Sequence, residues 1–295
     1  MNNLELIVFD VDHGLCVLVK TPNGYGVMID AGCSDEFKPA DWIGDGAVDL
    51  VPFQGHKIAW MVVTHPHDDH VEGIGSVIEK ISPSILLRRK DYDWNAILNP
   101  PDGDPSENAK VYENWQRRYS SPVIVYPDLG CEFKHFSLTV AEAESLGGQL
   151  QNQVNNTSYV CVFATSDWKI VVCGDNESAS LDQLCSRPDF RAAISGADVL
   201  VTPHHGHRSG YSEKFMTEIG EQCLRISSVP KKDQHIDPRY GAAGSSYRFK
   251  DQSRGHLTTR NDGHIRMILK PERFYTFGEV KPTLAMILKN FSWLK

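Results

Sequence analysis

Thr64-His65-Pro66-His67-Asp68-Asp69-His70 sets three imidazoles and two carboxylates side by side. The run before it, Ile58-Ala59-Trp60-Met61-Val62-Val63, is continuously apolar, which suits a buried strand. From Val71 onward the periodicity is helical, predicting a helix over 72–81. The polar cluster therefore falls on a strand-to-helix loop, where side chains can converge on one point. Imidazole and carboxylate together suit Zn²⁺, Mn²⁺ or Fe²⁺. His65 and His67 alternate with Pro66 and can face one ion, while Asp69 and His70 can face a second. A His-rich surface loop is the competing reading, and the spacing is far more specific than that requires.

Upstream, residues 4–10 and 15–20 read as strands, and Pro22-Asn23-Gly24 turns into a third that ends at Ile29-Asp30-Ala31-Gly32, giving an antiparallel meander. Downstream, Lys169-Ile-Val-Val-Cys-Gly174-Asp175 and Ala197-Asp-Val-Leu-Val-Thr202-Pro203-His204-His205-Gly206-His207 are two more strand-to-loop transitions. Further strands are expected at 123–126, 136–141 and 225–230, with a hairpin formed by 256–259 and 264–269 around Asn261-Asp262-Gly263.

His-x-His-x-Asp-His resembles the signature of the metallo-β-lactamase superfamily. Phe9-Asp10-Val11-Asp12-His13-Gly14, Ile29-Asp30-Ala31-Gly32, Pro203-His204-His205-Gly206 and Asp262-Gly263-His264-Ile265 extend the resemblance over about residues 4–269. In particular they are similar to the hydrolase domain of ComEC-type competence proteins. The resemblance implies an α/β αββα sandwich: one domain, residues 1–295, with an insertion around 88–122 and a C-terminal tail from 271. It implies metal ligation by His65, His67, Asp69, His70, Asp175 as a bridging carboxylate, and His204, which follows Asp175 by 29 residues. Asp30 is implied as a structural residue that holds the ligand loop. No histidine lies between His135 and His204, so Asn155, Asn156 and Ser158 are the candidates to complete the first ion's shell. An amide oxygen there tilts the metal pair from Zn²⁺ toward Mn²⁺ or Mg²⁺. Asp69 would orient the attacking water and His205 would protonate the leaving oxygen. His13 can be read as a ligand or as an exposed loop histidine, and Asp175 as a helix cap instead of a bridge.

Composition narrows the class. The chain has 295 residues, 41% hydrophobic and 23% charged, as in soluble globular proteins. Seven cysteines with no Cys-x-x-Cys pair suggest free thiols in a reducing compartment. There is no signal-like start and no apolar run long enough for a membrane helix, so a cytoplasmic protein without a membrane partner is expected. The net charge of −8 speaks against a general nucleic-acid coat. Residues 225–260 nevertheless carry eight Lys and Arg against three Asp, and Lys231, Lys232, Arg248 and Lys250 are expected to contact substrate. Within 88–122, Arg88, Arg89, Tyr92, Trp94, Trp115, Arg117, Arg118 and Tyr119 interleave bases with aromatics, either to stack a nucleic-acid strand, to dock a protein, or simply to pack.

The expected activity is that of a dinuclear phosphodiesterase or nuclease. A lactonase or phosphorylcholine-type esterase uses the same machinery, and a non-catalytic regulatory subunit would retain the fold without turnover.

Overall fold

The computed structural model describes residues 3–100, 106–230, 235–242 and 247–286. In chain order the strands are β1 (Leu4–Val8), β2 (Val17–Lys20), β3 (Gly26–Ile29), β4 (Ile58–Val62), β5 (Ile85–Leu87), β6 (Glu132–Phe136), β7 (Val160–Ala164), β8 (Lys169–Cys173), β9 (Val199–Val201), β10 (Leu224–Ser227), β11 (Tyr247–Phe249), β12 (Gln252–Arg254), β13 (His256–Thr258), β14 (Ile265–Leu269) and β15 (Tyr275–Gly278). They form a seven-stranded sheet, β15-β14-β1-β2-β3-β4-β5, a six-stranded sheet, β13-β10-β9-β8-β7-β6, and the small ribbon β11-β12.

The sequence meander β1-β2-β3 is antiparallel, with Leu6 opposite Val19 and Leu18 opposite Met28. From β3 onward the first sheet is parallel through β4 and β5, and the second is parallel across β8, β9, β10 and β13. Parallel strands are covered on both faces and so read as unbroken apolar runs, which is the pattern of Ile58–Val62 and Val199–Val201. The inner faces meet in one core, where Leu6, Val19 and Met267 pack with Phe163, Val172 and Ile226. The helices Pro39–Gly44 and Glu107–Gln116 bury Trp42, Tyr112 and Trp115 on the outer face of the first sheet. Ser178–Leu184, Pro188–Ile194 and Glu213–Ile219 do the same on the second with Leu181, Phe190 and Phe215. The architecture is an α/β αββα sandwich. All seven cysteines are free thiols, and only Cys131 is not buried.

Four local expectations are corrected. Residues 123–126 are not a strand: they run unpaired between Pro122 and the buried Pro127, because Pro withholds a ladder donor on either side. The strand expected at 136–141 instead ends at Phe136, since Thr139 and Glu142 form a reciprocal capping box that starts the helix Val140–Ser145. The segments 256–259 and 264–269 are not a hairpin, because β13 joins β10 in the second sheet while β14 pairs with β1 in the first. The short helix Thr259–Asp262 carries the chain across the sandwich between them. The segment beyond 271 is not wholly a tail, since β15 adds an edge strand to β14.

Within 88–122, the described aromatic residues pack against one another. Trp94, Tyr112, Trp115 and Tyr119 form a chain of tilted and edge-on ring contacts. Arg88 donates to the Tyr119 carbonyl, and buried Arg89 donates to the Ser137 hydroxyl at 2.7 Å and to the Leu138 carbonyl. Tyr112 and Trp115 are buried and not available to stack on a strand of bases, whereas Trp94 and Tyr119 are half-buried.

Candidate metal centre

The loops that carry the clustered histidines and carboxylates leave the carboxyl ends of strands, and residues 155–158 join them from the amino end of β7. Loop 64–70 follows β4, 174–176 follows β8, 202–207 follows β9, and 228–230 follows β10. In open α/β sheets this end is where ligands collect. Two glycines allow the loops to close up. A Cβ on Gly174 would lie 2.6 Å from Thr64 Oγ1, and one on Gly14, at φ +128°, would lie 2.2 Å from the Asp69 carbonyl oxygen.

Asp30 organises the first loop. Its Oδ1 accepts from the Thr64 backbone N–H at 2.7 Å, and its Oδ2 accepts from Thr64 Oγ1 and from His70 Nδ1, each at 2.7 Å. Asp30 is fully buried and sits at φ 58°, held there because its own N–H reaches the Val62 carbonyl at 2.8 Å. With Nδ1 spent on Asp30, the Nε2 of His70 points into the site, 3.2 Å from Asp175 Oδ1 and 3.6 Å from Asp69 Oδ2, and makes no hydrogen bond. An imidazole oriented from behind by a carboxylate, with its second nitrogen free, is how proteins present a metal ligand.

Asp69, His70, Asp175 and His205 bring one ligand atom each to within 4.8 Å of one another. His205 donates from Nδ1 to the Ser228 carbonyl at 3.1 Å, and its Nε2 lies 3.2 Å from Asp69 Oδ2 and 3.4 Å from Asp175 Oδ1. Sequence reasoning gave His204 to the second ion and His205 the proton-transfer role; the structure sets His205 within this group and His204 at its edge. Both residues adopt left-handed backbone, φ 48° and 55°, and the turn drives His205 inward while His204 stays half-buried at the rim. From there His204 Nε2 is 3.7 Å from Asp175 Oδ2, and its Nδ1 is 2.8 Å from Ser209 Oγ. Two adjacent histidines give no periodicity by which to tell which faces in.

His65 and His67 stand next to this group, with His65 Nε2 3.0 Å from His67 Nδ1. Ser158 Oγ lies 3.2 Å from His65 Nδ1 and accepts from the Asp175 N–H at 3.1 Å. Of the residues expected to complete this side, Ser158 thus backs His65, and Asn156 Oδ1 is engaged by the Glu177 N–H at 3.2 Å. The buried Asn155 Oδ1 has no hydrogen-bond partner. His13 is 62% exposed at the mouth, 3.8 Å from Asp69 Oδ2. Asp68 turns outward to Ser106 and to Asn108, 3.0 Å away. His207 lies near Ser209, at 2.9 Å. Thr64, Ser209 and Ser228 carry no motif signal of their own; only the Thr directly before His65 could have been noticed.

Charge explains what the cluster can hold. Burial opposes ionisation throughout, yet His70 and His205 outweigh it at Asp175 and Asp69 and hold both carboxyls well below the usual range. Conversely, burial depresses His70 and His205, but Asp175 and Asp69 overcome it, driving His70 well upward and His205 up to about 10. Burial and neighbouring imidazoles keep His65 neutral, and burial keeps His67 and His204 so. Three buried or nearly buried carboxylates thus need positive charge, and five histidines surround them. A divalent cation fits this donor set in chemistry and in charge.

The expected substrate-binding residues fare differently. Arg248 is exposed and paired with Asp251 at 3.3 Å, and its N–H meets the Tyr275 hydroxyl at 2.8 Å. Tyr275 sits opposite Leu269, at the end of the sheet remote from the ligand loops. Lys250 reaches the Asp262 carbonyl at 3.4 Å. Arg225 is buried against the carbonyls of Arg239 and Tyr240, Arg239 is paired with Asp237 and Glu213, and Arg254 with Asp262. Among the described residues of the basic segment, Arg239, Arg248 and Arg254 are thus paired with carboxylates, while Arg225 and Lys250 meet only backbone carbonyls. Lys231 and Lys232 lie outside the described residues.

The family model of the metallo-beta-lactamase superfamily matches residues 9–213. Recombination protein 2 of Haemophilus influenzae is 22% identical over 257 residues, which are 83% of this chain and 27% of that protein. The chain thus spans about a quarter of the length of this relative. Similar solved structures include a diphosphatase of the PhnP family, with 12% identity and TM-score 0.42 over 95% of this chain and 100% of that one. Zn²⁺-bound PqqB from Methylobacterium extorquens has 13% identity and TM-score 0.37 over 67% of this chain and 71% of that one. Rm3 metallo-beta-lactamase has 14% identity and TM-score 0.36 over 68% and 75%. Among the described residues no helix is long and apolar enough to cross a membrane.

Proposed function

Because the chain belongs to the metallo-beta-lactamase superfamily, we propose that it is a metal-dependent phosphodiesterase that cleaves nucleic acid, with two divalent ions, Zn²⁺ or Mn²⁺, held around Asp175. The observation that carries this reading is the convergence of Asp69, His70, Asp175 and His205, with the His65–His67 pair beside them. Oδ1 faces His70 and His205 at 3.2 and 3.4 Å, while Oδ2 faces His204 at 3.7 Å. A carboxylate open on both sides can serve two ions. Asp69, His70 and His205 would hold one ion with Asp175, and His65 and His67 would hold the other.

A divalent pair supplies an acidified water and neutralises charge on the phosphoryl oxygens. The chain's own residues do the rest. Asp69 Oδ2, within 3.8 Å of both His205 and His13, is placed to accept a hydrogen bond from the attacking water and orient it. Asp30 and Ser228 fix the ring planes of His70 and His205 from behind. His204, steadied by Ser209, stands at the mouth where a leaving oxygen departs. Nucleic acid as the substrate is supported by the relative named for recombination and by Lys231 and Lys232, which follow Pro230 directly.

Purified protein reconstituted with Mn²⁺, Mg²⁺ or Zn²⁺ should be assayed against single- and double-stranded DNA, RNA, bis-p-nitrophenyl phosphate and an acyl-homoserine lactone. Metal-dependent cleavage of a nucleic acid and of the small diester supports the proposal. Lactone turnover with inert diesters overturns it in favour of a lactonase, and failure on every substrate despite full metal loading favours a non-catalytic role.

A further inference from the structure

The loop between β1 and β2 brings one more histidine, His13, to the metal centre, and it does so on a firmly built turn. Across the base of the loop the Phe9 N–H reaches the Cys16 carbonyl at 3.0 Å. Near its tip Asp12 takes φ 61° and Gly14 φ 128°, and the Gly14 carbonyl accepts from Ser228 Oγ at 2.7 Å. The Leu15 N–H donates to the Asp69 carbonyl at 3.3 Å, and the Leu15 carbonyl accepts from the Gly32 N–H at 2.9 Å. Ser228 is also the residue whose carbonyl holds His205. One residue of the second sheet thus fixes both the inner imidazole and the loop that bears the outer one.

The position of His13 limits what it can do. Of the four converging residues only Asp69 is not buried, so Asp69 marks the open side of the group. His13 lies on that side, with Nε2 3.8 Å from Asp69 Oδ2 and its ring centre 5.7 Å from that of His205. A separation of 3.8 Å is too long for a hydrogen bond, and His13 makes none with any described residue. The other imidazole at the rim differs: His204, on the Asp175 side, has its Nδ1 engaged by Ser209 at 2.8 Å. His13 stands outside the set of atoms that converge within 4.8 Å, yet directly beside it. An uninvolved surface histidine requires no such loop beneath it.

We infer that His13 is a substrate-binding residue, whose ring donates an N–H to a non-bridging phosphoryl oxygen of the diester on the Asp69 side of the site. The inference rests on the phosphodiesterase reading above. A neutral imidazole carries one N–H in either tautomer, so the contact requires no change of protonation. A phosphodiester has two non-bridging oxygens and a lactone a single carbonyl oxygen, so the diester has an acceptor to spare for a donor beside the ions. The placement also matters electrostatically. Without His13, the group an entering phosphate meets on this side is the carboxylate of Asp69, which repels it.

The test uses the full chain, metal-loaded, with the variants His13→Ala and His13→Gln, the second of which keeps an N–H donor. Bound metal in both variants should match that of the unaltered chain. Affinity for inorganic phosphate, read by isothermal titration calorimetry, should fall roughly tenfold or more in His13→Ala, the loss of one hydrogen bond to a charged group. It should recover in part in His13→Gln. With bis-p-nitrophenyl phosphate, KM should rise by a similar factor in His13→Ala while kcat changes less. Phosphate affinity and KM left unaltered by His13→Ala overturn the inference, as does an unaltered chain that binds no phosphate. Loss of metal from His13→Ala also overturns it and makes His13 a ligand. Absence of diester turnover in the unaltered chain is a different result: it overturns the phosphodiesterase reading, and the phosphate titration still decides whether His13 holds an oxyanion.

Discussion

The loop at 64–70 from the first sheet and the loop at 202–207 from the second reach the same point, yet they hold their histidines by different means. In the first, one buried carboxylate, Asp30, accepts three hydrogen bonds and pins both the backbone and the ring of His70. In the second, no carboxylate among the described residues stands behind the rings. His205 is held by a backbone carbonyl, that of Ser228, and by two consecutive left-handed residues that turn it inward. The first loop is specified by side chains that can be read in order, and the second by backbone geometry that cannot. Asp175 lies between them and touches histidines of both.

The severest way to break this comparison is to remove the carboxylate the loops share. Asp175→Ala should leave the chain folded but strip most of its bound metal. Turnover should drop by about three orders of magnitude, the upper end of the loss from one transition-state hydrogen bond. Metal analysis that finds full occupancy in this variant would contradict the bridging role. The two histidines of the second loop then divide cleanly. His205→Ala should lose metal from the Asp69–His70 side, whereas His204→Ala should keep its metal and lose turnover. The opposite outcome would restore the roles suggested by the sequence alone.

The placement of His204 and His205 shows where sequence reading stops. The loop at 64–70 was legible because five ligand-type residues crowd a strand end, and Gly174-Asp175 because a strand ends in a lone carboxylate. Asp30 was legible only through family resemblance, since nothing local to it announces that it will meet Thr64 and His70 across the sheet. The order of His204 and His205 was not legible, because a one-residue choice is decided by φ at the turn. The basic stretch 225–260 was only partly legible, for a different reason. Composition counts charges but not their partners, and Arg225, Arg239 and Arg254 are each satisfied within the fold. The apparent hairpin 256–269 failed because alternation identifies strands without saying which sheet each joins.

Proton linkage sharpens the comparison, since both loops carry an imidazole raised by the same carboxylates. Without metal, His205 gains stability from Asp175 and Asp69 that is fully present below the ordinary histidine value of about 6.5. That contribution is lost as pH rises through about 10. A bound cation must displace this proton, so metal affinity should instead climb with pH over the same window. Melting temperatures of chelated and loaded protein should therefore diverge as pH rises from neutrality. Parallel curves would mean that no imidazole proton is exchanged for metal.

Asp30 offers a subtler test of the first loop. Asp30→Ala leaves the Thr64 N–H, the Thr64 hydroxyl and His70 Nδ1 without their buried acceptor. Stability should fall by about 3–5 kcal/mol, as when one member of a buried charged pair is removed. Metal affinity should weaken by about 10–100-fold, as for other residues that support a ligand. Ser228 offers no equivalent, because its carbonyl belongs to the backbone and no substitution deletes it. Denaturant melts that leave Asp30→Ala unaltered would remove the distinction between the two loops.

The smallest effect expected is also the one that decides what approaches the site from the second sheet. Arg248 is paired with Asp251 and anchored at the remote end of the sandwich, and Lys250 leans on the Asp262 carbonyl. Lys231 and Lys232 instead follow Ser228-Val229-Pro230, the stretch whose first carbonyl holds His205. A lysine that neutralises a phosphate releases counterions, contributing about −0.7 to the log–log salt slope on single strands. Lys231→Ala with Lys232→Ala should therefore flatten the salt dependence of nucleic-acid binding by about one to two phosphate equivalents. Arg248→Ala with Lys250→Ala should leave it unchanged, and neither pair should alter turnover of a small diester, which is governed by the ions alone. If the Arg248 and Lys250 pair carries the slope, the local partners seen for them yield to nucleic acid, and the basic segment acts as one surface after all. If neither pair does, the approach to the metals is uncharged on this side, and a small substrate becomes the better reading of the site.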